Sequence, residues 1–183
     1  MTRGSARSRP GPLSRARLAT VRLAVFDFDG VFTDNRVTVD QDGRESVTCT
    51  RADGLGLEAL RREGVEAMVL STEKNPVVAR RCEKLKLPCV HGVADKWKAL
   101  EEILRERGVE AARVLYLGND VNDAGCLERV GVPVCVADSH PAVLPVARFI
   151  TRRRGGDGAV REVCDLIVEA RRAGARGREG RNG

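Results

Sequence analysis

A chain of 183 residues, 42% of them hydrophobic, makes one domain of ordinary size that buries a core without disulfide or metal staples. Its 32 basic and 26 acidic residues give a formal charge of +6, but the excess sits at the ends: residues 1–20 carry +5 and residues 171–183 carry +4, leaving −3 between them. No apolar run is long enough to span a bilayer, and the arginine-rich first twenty residues lack the apolar stretch of a secretory signal.

Both ends read as disordered basic tails flanking one domain over 21–170. No aromatic residue interleaves with their arginines, so no nucleic-acid partner is expected. The six cysteines (49, 82, 89, 126, 135 and 164) show no C-x-x-C spacing, which excludes a zinc pattern. They read as reduced thiols of a cytoplasmic protein.

The domain alternates strand-like and helix-like segments. Leu23–Phe26 is an unbroken apolar run and predicts a buried strand. Val37–Val39 and Ser46–Thr50 flank Asp40-Gln41-Asp42-Gly43, the pattern of a hairpin. Asp53 precedes a helical stretch to Arg62 and reads as its cap. A second buried strand covers Val65–Leu70. Pro76–Leu85 and Lys96–Arg107 are helical, the latter closed by Gly108. Val114–Leu117 is a third strand, Asp123–Val130 a helix, Val132–Val136 a strand, Pro141–Ala147 a short helix and Ala159–Ala173 a final one. Strands and helices alternating at these lengths predict βαβ units around a mostly parallel sheet.

In such a sheet the carboxyl ends of the strands share one edge, where ligands bind. The first strand delivers Asp27 and Asp29 there, and Gly30 turns the chain. The second delivers Ser71 and Thr72. The third delivers Gly118-Asn119-Asp120-Val121-Asn122-Asp123. Lys96, at a predicted helix start, reaches the same edge. Two close carboxylates repel, so a divalent cation, a shared proton, or both must hold them. An aspartate can attack phosphorus, and a second carboxyl two residues on can protonate the leaving oxygen. A hydroxyl and a lysine suit phosphoryl oxygens. Singly, each feature has a plainer reading: Ser71 as a helix cap, Lys96 as a solvated lysine, Gly118-Asn119-Asp120 as a turn.

Together, Asp27-Phe28-Asp29-Gly30-Val31-Phe32-Thr33-Asp34, Arg51-Ala52-Asp53-Gly54-Leu55-Gly56, Val69-Leu70-Ser71-Thr72, Asp95-Lys96 and Tyr116 to Asp123 resemble the haloacid dehalogenase superfamily of phosphatases. Val136 to Pro141 and Gly155 to Glu162 extend the likeness over essentially all of 21–168. The members in question lack a large cap domain. The resemblance implies a three-layer, Rossmann-like α/β fold with a mostly parallel sheet and a small β-hairpin insertion in place of a cap. It implies Asp27 as nucleophile and Mg²⁺ ligand. Asp29 is implied as general acid/base, binding metal through its backbone carbonyl. Ser71 and Lys96 are the implied phosphate-binding residues, and Asn119 and Asp123 complete the metal set. It also implies a homotetramer, in which the hairpin after Thr33 and the C-terminal glycine-rich segment help close a neighbour's site.

Two positions depart from the octulosonate 8-phosphate phosphatases of this superfamily. Position 119 is Asn where they usually carry Asp, which removes one charge from the metal site; Asp120 is the alternative ligand. Ser71-Thr72-Glu73-Lys74-Asn75-Pro76 is instead similar to nonulosonate (sialic-acid-type) 9-phosphate phosphatases and to the phosphatase-like domain of acylneuraminate cytidylyltransferases. Glu73, Arg81 and Lys84 are then the expected substrate contacts. Arg81 and Lys84 share a helix face, which is also what a solvated basic face would show. The expected activity is Mg²⁺-dependent hydrolysis, through an aspartyl phosphate, of a phosphorylated 2-keto-3-deoxy sugar acid. A nonulosonate 9-phosphate is favoured, and octulosonate 8-phosphate is the alternative. The rival from another class is a non-catalytic tetramerisation module associated with a cytidylyltransferase.

Overall fold

The apolar run Leu23–Phe26 forms strand β1, and all four residues are buried. The structure, a computed structural model, describes residues 13–179. Helix α1 (Arg15–Ala19) precedes β1, and a hairpin of β2 (Thr38–Val39) and β3 (Glu45–Ser46) follows it. Then come α2 (Ala52–Arg62), β4 (Glu66–Leu70), α3 (Val77–Leu85), β5 (Cys89–Val90), α4 (Lys96–Arg107), β6 (Val114–Gly118), α5 (Ala124–Leu127), β7 (Val132–Cys135), β8 (Phe149–Ile150) and α6 (Ala159–Glu179).

Six strands form one parallel sheet in the order β5-β4-β1-β6-β7-β8. In register, Phe26 lies opposite Val69 on one side and Leu117 on the other. The chain therefore leaves β1, β4 and β6 side by side, on one edge. Alternate residues of β1 feed two cores, as a strand's two-residue period requires. Ala24 and Phe26 pack with Leu57, Leu60, Val78 and Ile167 of α2, α3 and α6. Leu23 and Val25 pack with Leu100, Leu104 and Leu127 of α4 and α5. Helices cover both faces, so the three-layer α/β fold with a mostly parallel sheet stands. The hairpin pairs Thr38 with Ser46, and all four of its strand residues are exposed. Asp40 Oδ1 accepts from the Asp42 and Arg44 amides and shapes its turn. No helix among the described residues is long and apolar enough to cross a membrane.

The expected disorder of residues 1–20 and 171–183 needs correction. Residues 15–19 are helical, with Leu18 buried in the α2/α6 core, and α6 continues to Glu179. Arg171 Nη1 donates to the Val21 carbonyl at 3.1 Å, tying the helix to the start of β1. The arginine bias hid a single burying leucine and a run of good helix formers. The rest of both expected tails, residues 1–12 and 180–183, lies outside the described residues. Asp53 is not a cap: it sits inside the first turn of α2, fully buried, and accepts the Arg161 amide at 3.1 Å. The helix expected over Asp123–Val130 is a 3-10 turn at Val121–Asp123 followed by the single turn of α5.

Candidate active site

After β1 the side chains keep alternating. Phe28 turns into the core and stacks on Phe32, with ring centroids 5.8 Å apart, so Asp27 and Asp29 fall to the open edge. The Asp27 amide donates to the Leu117 carbonyl at 2.9 Å, carrying the β1–β6 pairing one residue further. Gly30 follows at φ 79°, and a Cβ there would overlap the Asn119 side chain. Glycine is thus required twice, for its dihedral and for the close approach.

Lys96 opens α4 behind its cap Asp95, whose side chain accepts the Lys98 amide at 3.0 Å. The lysine is 2% exposed. Its Nζ lies 2.7 Å from Asp27 Oδ1 and 2.7 Å from Asp123 Oδ1. Asp123 also accepts the Tyr116 hydroxyl at 2.7 Å, the Asn119 amide at 2.8 Å and the Asp120 amide at 3.2 Å. Both its oxygens are therefore saturated. In this arrangement Asp123, expected as a metal ligand, braces Lys96 and the Asn119 loop from behind. Asp120 is engaged as the cap of the 3-10 turn, accepting the Val121 amide at 2.7 Å.

The Asn119 side-chain amide lies 3.1 Å from both Asp27 Oδ2 and the Asp29 carbonyl oxygen. With its nitrogen turned to them it donates to both. With its oxygen turned to them three oxygens converge, and only a cation between them reconciles that set. Octahedral Mg²⁺, with bonds of about 2.0–2.1 Å, places adjacent ligands about 3 Å apart, so the residues present fit the ion. Among the described residues no group of three or more His, Cys, Asp or Glu side chains gathers for a metal. This site is built instead from one carboxylate, one carbonyl and one amide.

Ser71 ends β4 at 1% exposure, and its hydroxyl accepts the Glu73 amide at 3.1 Å. A cavity of about 230 Å³ joins Asp27, Asp29, Asn35, Ser71, Thr72 and Asn119. A second, of about 300 Å³, shares Asp29, Asn35 and Thr72 and runs on to Glu45, Glu73 and Val47 under the hairpin. A larger cavity of about 850 Å³, along Arg152–Arg154 and the start of α6, holds none of the converging residues; the chemistry lies in the smaller one. Of the expected substrate contacts, Glu73 lines the second cavity. Arg81 does not: it turns inward, donates to the Thr50 carbonyl at 3.0 Å and has a buried Nε without a partner. Lys84 is exposed on α3 and lines neither cavity. Sharing a helix face does not set which way that face looks, and neither cation reaches these two cavities.

Burial, and then the nearby charge of Asp123, push Asp27 up to about 7 against the pull of Lys96. Burial lowers Lys96, but Asp27 and Asp123 outweigh it, so it stays protonated. Asp29 is raised by burial and then by Glu73, the direction that suits a general acid. Residues that sequence reasoning passed over are Asn35 on the cavity wall and Tyr116, whose hydroxyl was hidden in a strand read as wholly apolar.

The haloacid dehalogenase-like hydrolase family matches residues 76–163. The 3-deoxy-D-manno-octulosonate 8-phosphate phosphatase of Escherichia coli K12 is 34% identical over 164 residues, covering 87% of each chain. The corresponding Moraxella catarrhalis enzyme, solved with magnesium, phosphate and KDO, superposes with a TM-score of 0.83 at 30% identity, over 86% of this chain and 91% of that one. A Streptomyces avermitilis protein assigned to the HAD hydrolases has a TM-score of 0.82 at 47% identity, over 88% of this chain and 91% of that one. With its parallel sheet and paired aspartates, this chain belongs to the haloacid dehalogenase-like hydrolase family and is a phosphatase.

Proposed function

We propose that the chain hydrolyses 3-deoxy-D-manno-octulosonate 8-phosphate. What carries the phosphatase chemistry is the Asp27–Lys96–Asp123 chain of 2.7 Å contacts beside the Asn119–Asp29 carbonyl pair. The substrate follows from the relatives that carry that activity. Asp27 attacks phosphorus, the bond from phosphorus to the sugar oxygen breaks, and Asp29 gives that oxygen its proton. Asp29 then takes a proton from water, the water oxygen attacks the phosphorus held on Asp27, and phosphate leaves with Asp27 restored. Ser71 and Lys96 hold phosphoryl oxygens. Asp27, the Asp29 carbonyl and Asn119 would hold Mg²⁺, which supplies positive charge to the phosphoryl group when bound.

A nonulosonate 9-phosphate is the second reading, favoured by Glu73 on the cavity under the hairpin. Arg81, one of the cations expected to contact that substrate, is engaged instead at the Thr50 carbonyl. The ratio of kcat/KM on the two sugar phosphates decides between them, and a clear preference for the nine-carbon substrate overturns the first reading. Asp27→Asn should abolish phosphate release with the circular dichroism spectrum unchanged; retained turnover removes Asp27 as nucleophile. The exposed hairpin, with Val37 and Val39 at 52% and 57% exposure, offers an apolar face for the homotetramer we propose, which light scattering would test.

A further inference from the structure

We propose that Thr33 is a positioning residue: its buried hydroxyl fixes the Asp29–Gly30 peptide so that the Asp29 carbonyl stays aimed at the cation site. The inference rests on the ligand set proposed above and adds a residue outside it. Thr33 is 0% exposed. Its Oγ1 accepts the Gly30 amide at 3.1 Å and the Asn35 amide at 3.2 Å. A trans peptide is planar, so the Asp29 C=O and the Gly30 N–H point in opposite directions. Whatever holds the N–H also aims the carbonyl. That carbonyl oxygen is the one lying 3.1 Å from the Asn119 amide. Glycine at φ 79° gives the peptide unit freedom to rotate, so its direction depends on being held.

The same turn is gripped from behind. A Cβ on Gly155 would overlap the Gly30 carbonyl oxygen. The Gly156 amide donates to the Val31 carbonyl at 3.1 Å, and the Gly155 amide donates to Asp138 Oδ1 at 3.0 Å. The sequence segments around Asp138 and Gly155 thus meet as a strap against the turn that carries Asp27 and Asp29. Thr33 works from inside the turn and the strap from outside, on two sides of one glycine.

The experiment uses the full chain. Mg²⁺ is titrated calorimetrically into phosphate-free protein with no substrate present, and thermal unfolding is followed separately in EDTA. Thr33→Val keeps the shape and removes the acceptor; Thr33→Ser keeps the acceptor. Thr33→Val should weaken Mg²⁺ binding about three- to tenfold, the size of one neutral hydrogen bond, while Thr33→Ser binds as wild type does. A role confined to stability would lower the unfolding temperature and leave Mg²⁺ affinity alone, and that result overturns the proposal. So does equal weakening in both variants. Asn119→Ala separates the two levels of the argument. Unchanged affinity there sinks the ligand set itself, whereas weakened affinity there with normal binding by Thr33→Val sinks only the positioning role. Should Thr33→Val fail to fold, Asp138→Ala, at an exposed position, decides: about a twofold loss of affinity supports the grip on the turn, and none refutes it.

Discussion

Lys96→Met keeps the length of the side chain and removes its charge. The ammonium is 2% exposed and sits 2.7 Å from one oxygen each of Asp27 and Asp123. At charge separations of about 4 Å and an effective dielectric of about 20, each contact is worth about 4 kcal/mol. Breaking a buried pair by removing one partner costs about 3–5 kcal/mol. The variant has one escape. Asp27, already raised to about 7, loses the pull of Lys96, rises further and takes up a proton. A carboxyl whose folded pKa is raised contributes stability below its unfolded value of about 3.8 and loses it as pH climbs through the folded value. The gap between wild type and variant, measured by urea unfolding in EDTA, should therefore widen from pH 5 to pH 8 and reach about 3–5 kcal/mol at the upper end. Turnover of p-nitrophenyl phosphate at pH 7 should fall at least about 10²–10³-fold, because a protonated carboxyl does not attack phosphorus and the phosphoryl oxygens lose a donor. A gap of equal size at the two pH values, or turnover within tenfold of wild type, refutes the reasoning.

Three further predictions concern other parts of the chain. Asn119→Asp adds one charge to the cation site, so the Mg²⁺ concentration for half-maximal activity should fall; an unchanged value removes Asn119 from the ligand set. Asp53 is fully buried, one of its oxygens has no partner, and burial pushes it up to about 6 against the nearby arginines. The stability it contributes is present below about pH 3.8 and lost as pH rises through about 6, whereas Asn does not titrate. Asp53→Asn should therefore gain up to about 3 kcal/mol relative to wild type between pH 4 and pH 7, and parallel stability profiles would falsify the assignment. Leu18→Ala should cost about 2–4 kcal/mol in denaturant unfolding, since Leu18 is 3% exposed and anchors α1 in the α2/α6 core; a loss below about 0.5 kcal/mol would restore the reading of this segment as a tail.

The strands β1, β4, β6 and β7 and the residues at their ends were legible in the chain itself, whereas β5 and β8, two residues each, were too short to stand out. Hydrophobic periodicity is a local property, and β1, β4 and β6 are buried on both faces, so each stands out as an apolar run that stops at a polar residue. Helix α4 was equally plain, because Asp95 and Gly108 cap it with local chemistry. Direction was not legible. Asp123 and Asn119 stand four apart in one loop, yet one saturates its oxygens on Lys96, Tyr116 and backbone amides while the other faces Asp27. Arg81 and Glu73 lie on neighbouring segments, yet one points inward and the other lines a cavity. Leu18 reads as part of an arginine-rich tail until α6 is laid beside it. Pattern along a chain determines which elements form and where their ends fall. Which partner a side chain meets depends on groups tens of residues away, and only packing decides that.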